Sequence, residues 1–345
     1  MSFDINKIVR PSIAALKPYS SARDEFTGKA DVYLDANENP FDTGLNRYPD
    51  PYQQELKSAI SKIKNVPKEN IFLGNGSDEV IDLLFRGFCE PGKDEVITLP
   101  PTYGMYQVSA DINHIKTNKV SLTPDFEIDE AKLEATINPN TKIIWFCSPN
   151  NPTGNALDPD AIIKILKSFN GIVVIDEAYI DFSASQSWID FLDFYPNLFV
   201  MQTLSKAWGL AGLRLGMGFA SKAIIEILNK IKPPYNINTL TQDKALEALG
   251  HFEEKNEAVD VILNERINLN QALSELQTVR HIYKSDANFL LVKIDHASTI
   301  YQKLVEQSII VRNRSNVTLC EDCLRITVGT PEENKTLISA LKQLI

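Results

Sequence analysis

The stretch GIVVIDEAY at 171–179 decides how this chain folds. An unbroken apolar run leads into Asp176, with Glu177 and then Tyr179 beyond it. So short a run, rich in β-branched residues and lacking polar alternation, reads as a strand covered on both faces. Such strands belong to a mainly parallel sheet flanked by helices. Outward from it, IFLG, EVITL, KIIWFC, LFVMQ and LGMGF read as companion strands, while SDEVIDLLFRGF and PDAIIKILKSF have helical spacing. The expected architecture is therefore an α/β fold with a central, mainly parallel sheet.

That pattern begins at Ile71, after a helical PYQQELKSAISKI, and extends to about residue 240. Beyond it, QDKALEALGHFEEKNEAVDVILNERINLNQALSEL reads as a long helical tract with one interruption, followed by the strands FLLVKI and CLRITV. Thr330-Pro331-Glu332-Glu333 supplies an N-cap, a first-turn proline and a capping-box glutamate for a last helix. The expected division is an N-terminal arm over 1–40 that packs on a small domain and the substrate site, a large domain over 41–240, and a small α/β domain over 241–345.

The 345 residues carry a formal net charge of -10, with 45 acidic side chains against 35 basic ones. That balance argues against a nucleic-acid or anionic-membrane surface but leaves room for a local basic pocket. The opening MSFDINKIVRPSIAALKPYS lacks the pattern of a signal peptide, and no apolar stretch approaches the roughly 20 residues of a membrane span. Four cysteines are too few for a disulfide scaffold, so a cytoplasmic enzyme is expected. Cys320 and Cys323 form an isolated CxxC that reads as space-filling beside a strand, and the four histidines have no ligand spacing.

The chemistry lies around Asp176. Open α/β sheets place ligands at the carboxyl ends of their strands, and a carboxylate buried there needs a cationic partner. A protonated pyridine nitrogen supplies one; a magnesium ion is the main rival, without a P-loop to support it. In TLSKAWGLAGLR at 203–214, Lys206 lies between Ser205 and Ala207, and Arg214 follows it by eight residues. A lysine amine can join an aldehyde as a Schiff base, although a Ser-Lys pair also starts surface helices. GNGSDE at 74–79 offers a glycine-rich turn entering a helix, with Ser77 as cap and free backbone N–H groups for an anion. Thr203, Ser205 and Arg214 add hydroxyls and a guanidinium. Asn151 opens an NPTG turn after KIIWFC, where it can bind a ring oxygen together with Tyr179 or simply shape the turn. Tyr103 in LPPTYGMY stacks on a ring or fills core, and Tyr48 in LNRYPDP is structural or reaches a phosphate. Together these side chains suit a pyridine ring bearing an aldehyde and a phosphate: pyridoxal 5'-phosphate.

In order and spacing, LDANENPF, RYPDP, GNGSDE, PTYGMY, SPNNPTG, IDEAYIDF, TLSKAWGLAGLRLG and LRITVGTPEEN resemble the fold-type I aminotransferases, most closely the histidinol-phosphate aminotransferase family. The resemblance implies that Lys206 bonds the cofactor and later carries the proton. Asp176 would pair with the ring nitrogen, Asn151 and Tyr179 with the ring hydroxyl, and Tyr103 with the ring face. The phosphate would be held by Ser77, the backbone at Gly76–Asp78, Thr203, Ser205 and Arg214. Tyr48 would reach a neighbouring subunit's cofactor phosphate, implying a homodimer with shared active sites. Arg325 and Arg312 would bind the substrate's acidic group, with Tyr19 and Asn37 lining the pocket from the arm; Arg314 competes for the Arg312 role. The implied reaction exchanges an amino group between glutamate and imidazole-acetol phosphate. A broad-specificity or aromatic aminotransferase, or a phospho-amino-acid decarboxylase, would share the cofactor residues. A regulator built on this fold would need an added DNA-binding segment that the sequence lacks.

Overall fold

Successive residues of the central strands enter two different cores, which is why these strands carry unbroken apolar runs. A computed structural model of the chain describes residues 3–19 and 31–344. Its larger sheet comprises β1 (Ile71–Asn75), β2 (Glu95–Thr98), β3 (Lys116–Lys119), β4 (Thr141–Cys147), β5 (Ile172–Asp176), β6 (Leu198–Thr203) and β7 (Leu215–Ala220). The order is β1-β7-β6-β5-β4-β2-β3. The β2–β6 strands pair in parallel, whereas β7 is antiparallel to both β1 and β6.

On β5, Val173 and Ile175 join one apolar cluster, while Ile172 and Val174 join the other. The same alternation divides Ile144 and Phe146 from Ile143 and Trp145 on β4. The helix Pro159–Ser168 closes the first core with Ile162 and Ile165. The helix Gly76–Phe88 closes the second, burying Val80, Ile81, Leu84, Phe85 and Phe88 at helical spacing. Each such side chain contributes about 1.5–3 kcal/mol on leaving water, and Leu84→Ala would cost about 2–5 kcal/mol.

A second, antiparallel sheet has the order β10-β11-β9-β8, built from β8 (Val279–Ile282), β9 (Phe289–Ile294), β10 (Arg312–Asn313) and β11 (Cys323–Thr327). Leu269 and Leu273 of the helix Phe252–Ser274 pack on it, as do Leu337 and Leu341 of Pro331–Leu344. The capping box forms: Glu333 N–H donates to Thr330 Oγ1 at 3.2 Å, and Thr330 N–H to Glu333 Oε2 at 2.8 Å. The long helical tract is broken once, between Thr239–Leu249 and Phe252–Ser274. Tyr179, Phe182 and Ala207 meet Val259, Ala287 and Phe289 in a small cluster that joins the two layers.

Two features depart from the reading of the sequence. β3, with the sequence KTNK, has no apolar run; it exists because β2 offers a parallel edge to pair with. The start of the arm also sits elsewhere than expected. Ile8 and Val9 enter the second core of the large layer, and Arg10 N–H donates to Gly87 O at 3.0 Å, so this part packs on the large sheet's helices rather than on the small domain. Cys320 and Cys323 are buried and free; Cys323 opens β11, and both side chains fill space in the first core. Among the described residues no helix is long and apolar enough to cross a membrane.

Candidate active site

The carboxyl ends of β4, β5 and β6 open into a cavity of about 680 Å³, bounded by the start of the helix Gly76–Phe88 on one side and by Arg312, Arg314 and Arg325 of the smaller layer on another. Ser77, Asp78, Tyr103, Asn151, Asp176, Tyr179, Thr203, Ser205, Lys206, Arg214, Arg312 and Arg325 all line it.

Asp176 closes the apolar strand β5 and is 4% exposed. Burial pushes its carboxyl pKa up. Opposing that are the Tyr106 hydroxyl, which donates to Oδ2 at 2.7 Å, and the Ala178 N–H, which donates to Oδ1 at 3.1 Å. Such a group gains from a cation placed before it. Lys206 reaches the cavity from the loop after β6, its Nζ 5.5 Å from the centre of the Tyr179 ring. The amine is open to the cavity, yet the surrounding wall displaces enough water to lower its pKa. Arg325 lowers it further, and Asp176 opposes the change.

The opposite end of the site is formed by the start of the helix Gly76–Phe88 and by Arg214. Gly76 has φ +69°, and its N–H donates to Arg214 O at 2.7 Å. Across from it, Gly216 of β7 comes so close that an added Cβ would lie 2.4 Å from both Gly76 C and Ser77 N. Of the first helical N–H groups, which have no partner within the helix, that of Gly76 is thus used by Arg214, whereas Ser77 and Asp78 line the cavity. Arg214 Nη2 donates to Asp78 Oδ2 at 3.3 Å, and the Tyr103 hydroxyl donates to Asp78 Oδ1 at 3.2 Å. Thr203 is used differently from the expected phosphate donor. Its hydroxyl donates to Leu215 O at 3.2 Å and accepts from Ser205 N–H at 3.1 Å, so here it orders the loop carrying Ser205.

Between the two ends, Arg325 Nη1 donates to Asn151 Oδ1 and thereby leaves the Asn151 amide N–H groups for the cavity. The peptide bond Asn151-Pro152 is cis. Tyr179 is 6% exposed and packs edge-on against Phe289, 5.2 Å between centres; its phenol is held protonated by burial.

Three expected residues do not reach this cavity within one chain. Tyr48 stacks on Tyr235 at 4.4 Å and, with Asn37, borders a separate surface depression. Tyr19 is 71% exposed and lines neither pocket. Conversely, the sequence gives no signal for Tyr106 as a site residue, although it follows Tyr103 by three positions. It is fully buried, stacks on Trp145 at 4.8 Å and holds Asp176.

Comparison with known proteins matches this arrangement. The model of the family "Aminotransferase class I and II" matches residues 30–341. The histidinol-phosphate aminotransferase of Christiangramia forsetii is 58% identical over 99% of this chain and 98% of its own length. Among solved structures, the histidinol-phosphate aminotransferase from Clostridium acetobutylicum superposes with a TM-score of 0.81 at 24% identity, covering 87% of this chain and 91% of that one. That from Sinorhizobium meliloti, in complex with pyridoxal-5'-phosphate, superposes at 0.79 with 22% identity, covering 87% and 84%. The structural likenesses show the fold, the sequence match extends over the whole chain, and the chain belongs to the class I and II aminotransferases, in the group of histidinol-phosphate aminotransferases.

Proposed function

We propose that this protein transfers an amino group reversibly between L-glutamate and imidazole-acetol phosphate, giving 2-oxoglutarate and L-histidinol phosphate in histidine biosynthesis. One observation carries the reading: a buried carboxylate, a lysine amine open to the cavity and the start of a helix converge in a single cavity walled by arginines.

The donor set fits pyridoxal 5'-phosphate. Asp176, buried and in need of a cation, would receive the ring N–H. Asn151 and Tyr179 would bind the ring oxygen, and Tyr103 would cover the ring face. The Gly76 N–H is taken by Arg214 O, so the N–H groups of Ser77 and Asp78, with the Ser77 and Ser205 hydroxyls and Arg214, would hold the phosphate. When bound, the cofactor supplies an electron-withdrawing ring that stabilises negative charge at the substrate α-carbon. The chain's own part is placement and proton transfer. Desolvation shifts Lys206 Nζ toward its neutral form, in which it can take the α-proton and return it. Tyr106 and Ala178 fix the direction of the Asp176 carboxylate, and Arg325 and Arg312 orient the substrate by its acidic end.

A homodimer with shared active sites completes the proposal. Leu34 is 89% and Phe41 78% exposed along the segment that leads to Tyr48, a run of apolar surface suited to a second copy. In such a dimer Tyr48 would approach the neighbour's cofactor phosphate. The four cysteines are all free and buried, which supports placing the enzyme in the cytoplasm.

The deciding assay gives the purified protein glutamate and imidazole-acetol phosphate with phenylpyruvate as competitor, and follows 2-oxoglutarate. Preferred use of imidazole-acetol phosphate is expected. Preference for phenylpyruvate would make the protein an aromatic aminotransferase, and carbon dioxide release from a phosphorylated amino acid would make it a decarboxylase.

A further inference from the structure

Arg312, Arg314 and Arg325 share one face of a two-stranded ribbon. β10 and β11 are antiparallel, with Arg312 directly opposite Arg325. Alternation along an extended chain returns Arg314 to the face of Arg312, and the Arg314 N–H donates to Cys323 O at 2.8 Å, continuing the ribbon. All three side chains line the cavity.

The arrangement is unfavourable by itself. Like charges directly opposite on paired strands repel, and among the described residues no carboxylate forms an ion pair with any of the three. The Nε atoms of Arg314 and Arg325 are also buried without a partner. Burial, then Arg325 and Arg312, lower the Arg314 pKa to about 10, so it stays charged at neutral pH. Arg325 already donates to Asn151, whereas no described residue accepts a hydrogen bond from the Arg314 guanidinium. The wall has more positive charge and more donors than its own chain satisfies.

A carboxylate offers two oxygens and a single negative charge, which two guanidinium groups can satisfy. A phosphate monoester brings nearly two charges and three terminal oxygens. We propose that Arg314 is a specificity-determining residue that binds the third oxygen of the substrate's phosphate monoester beside Arg312 and Arg325, favouring phosphorylated substrates over those with a carboxylate in the same place. The proposal deepens the aminotransferase reading and rests on it.

The test uses the holoenzyme, its Arg314→Gln variant and its Arg314→Lys variant. The two half-reactions are followed separately by cofactor absorbance, one started with L-histidinol phosphate and the other with L-glutamate. Inorganic phosphate is titrated as a competing ligand. For Arg314→Gln, kcat/KM for histidinol phosphate should fall about tenfold further than kcat/KM for glutamate, a difference of about 1.4 kcal/mol, and chiefly through KM. Inhibition by phosphate should weaken by a similar factor, and lysine should restore part of both losses. Equal losses for the two substrates, or unchanged phosphate inhibition in Arg314→Gln, would overturn the assignment. The phosphate titration does not depend on which substrate is turned over, so a wild-type enzyme indifferent to histidinol phosphate would sink the substrate reading while leaving Arg314 separately testable. If the glutamine variant does not fold, lysine carries the test, since it keeps the charge but loses the planar fork: weaker phosphate inhibition is expected, and wild-type inhibition would refute the role.

Discussion

Replacing Gly76 by alanine should loosen the grip on the cofactor phosphate far more than the grip on the ring. At φ +69° an L-residue is strained by about 1–2 kcal/mol. The new Cβ would lie 2.6 Å from Arg214 Nη2 and 3.2 Å from its Cζ, so the guanidinium must swing away. The loop has little freedom to slide instead, because Gly76 N–H is bonded to Arg214 O at 2.7 Å and Gly216 presses from β7. A lost charge-assisted hydrogen bond is worth about 1.5–3 kcal/mol, or roughly 10- to 100-fold in affinity. The assay is equilibrium titration of the cofactor-free protein with pyridoxal phosphate and, separately, with pyridoxal. Affinity for the phosphorylated form should fall by roughly that factor, and affinity for pyridoxal by much less. Thermal unfolding should move down by about 1–3 °C, since at about 2.1 cal/mol/K per residue 1 kcal/mol corresponds to about 1.4 °C in a chain of this size. Equal losses for both ligands, or wild-type affinity with an unchanged midpoint, would refute the reasoning.

Further expectations concern proton traffic, stability and assembly. Borohydride treatment in the presence of cofactor should raise the mass of the wild-type chain but not of Lys206→Ala; a mass gain in the variant would place the attachment elsewhere. Glu177 is buried while accepting from Ser187, Trp188 and Gln202, and burial raises its pKa from 4.5 to about 7. A carboxyl raised on folding contributes stability that is present in full below pH 4.5 and lost as pH rises through about 7. The gap corresponds to about 3 kcal/mol at about 1.4 kcal/mol per pH unit. Urea midpoints measured from pH 5 to 8 should therefore fall more steeply for wild type than for Glu177→Gln, and parallel slopes would remove the effect. Finally, if the sites are shared, mixing and refolding inactive Lys206→Ala with Tyr48→Ala should restore activity in the mixed dimers, which combine both lesions at one site and leave the other intact; no recovery would argue for self-contained sites.

The central sheet was legible because strands buried on both faces must carry unbroken apolar runs, as 143–147 of β4, 172–175 of β5 and 198–201 of β6 do. The same rule leaves β3 unreadable, because KTNK is held as a strand by its neighbour's edge rather than by its own side chains. Chemistry-bearing residues next to strand ends, such as Asp176 and Asn151, could be read from local context. Tyr106 could not, since an aromatic residue on a helix reads as core until the three-dimensional path brings its hydroxyl to Asp176. Arg314 was ambiguous for a related reason: alternation puts it on one face with Arg312, but the sequence does not say whether that face meets solvent or a cavity. The arm's seat on the large layer depends on Ile8 and Val9, two apolar residues too few to specify a partner.

The division of β5 between two cores has an evolutionary corollary. Sliding that strand by one residue would exchange every side chain between cores of different shape, so the depth of Asp176 is locked in discrete steps and small adjustments are closed to it. Arg312 and Arg314 have no such anchor, because β10 is a two-residue strand at the rim of the other sheet. Preference for one substrate over another can therefore drift across the rim during descent, while the machinery that moves the proton is inherited nearly unaltered.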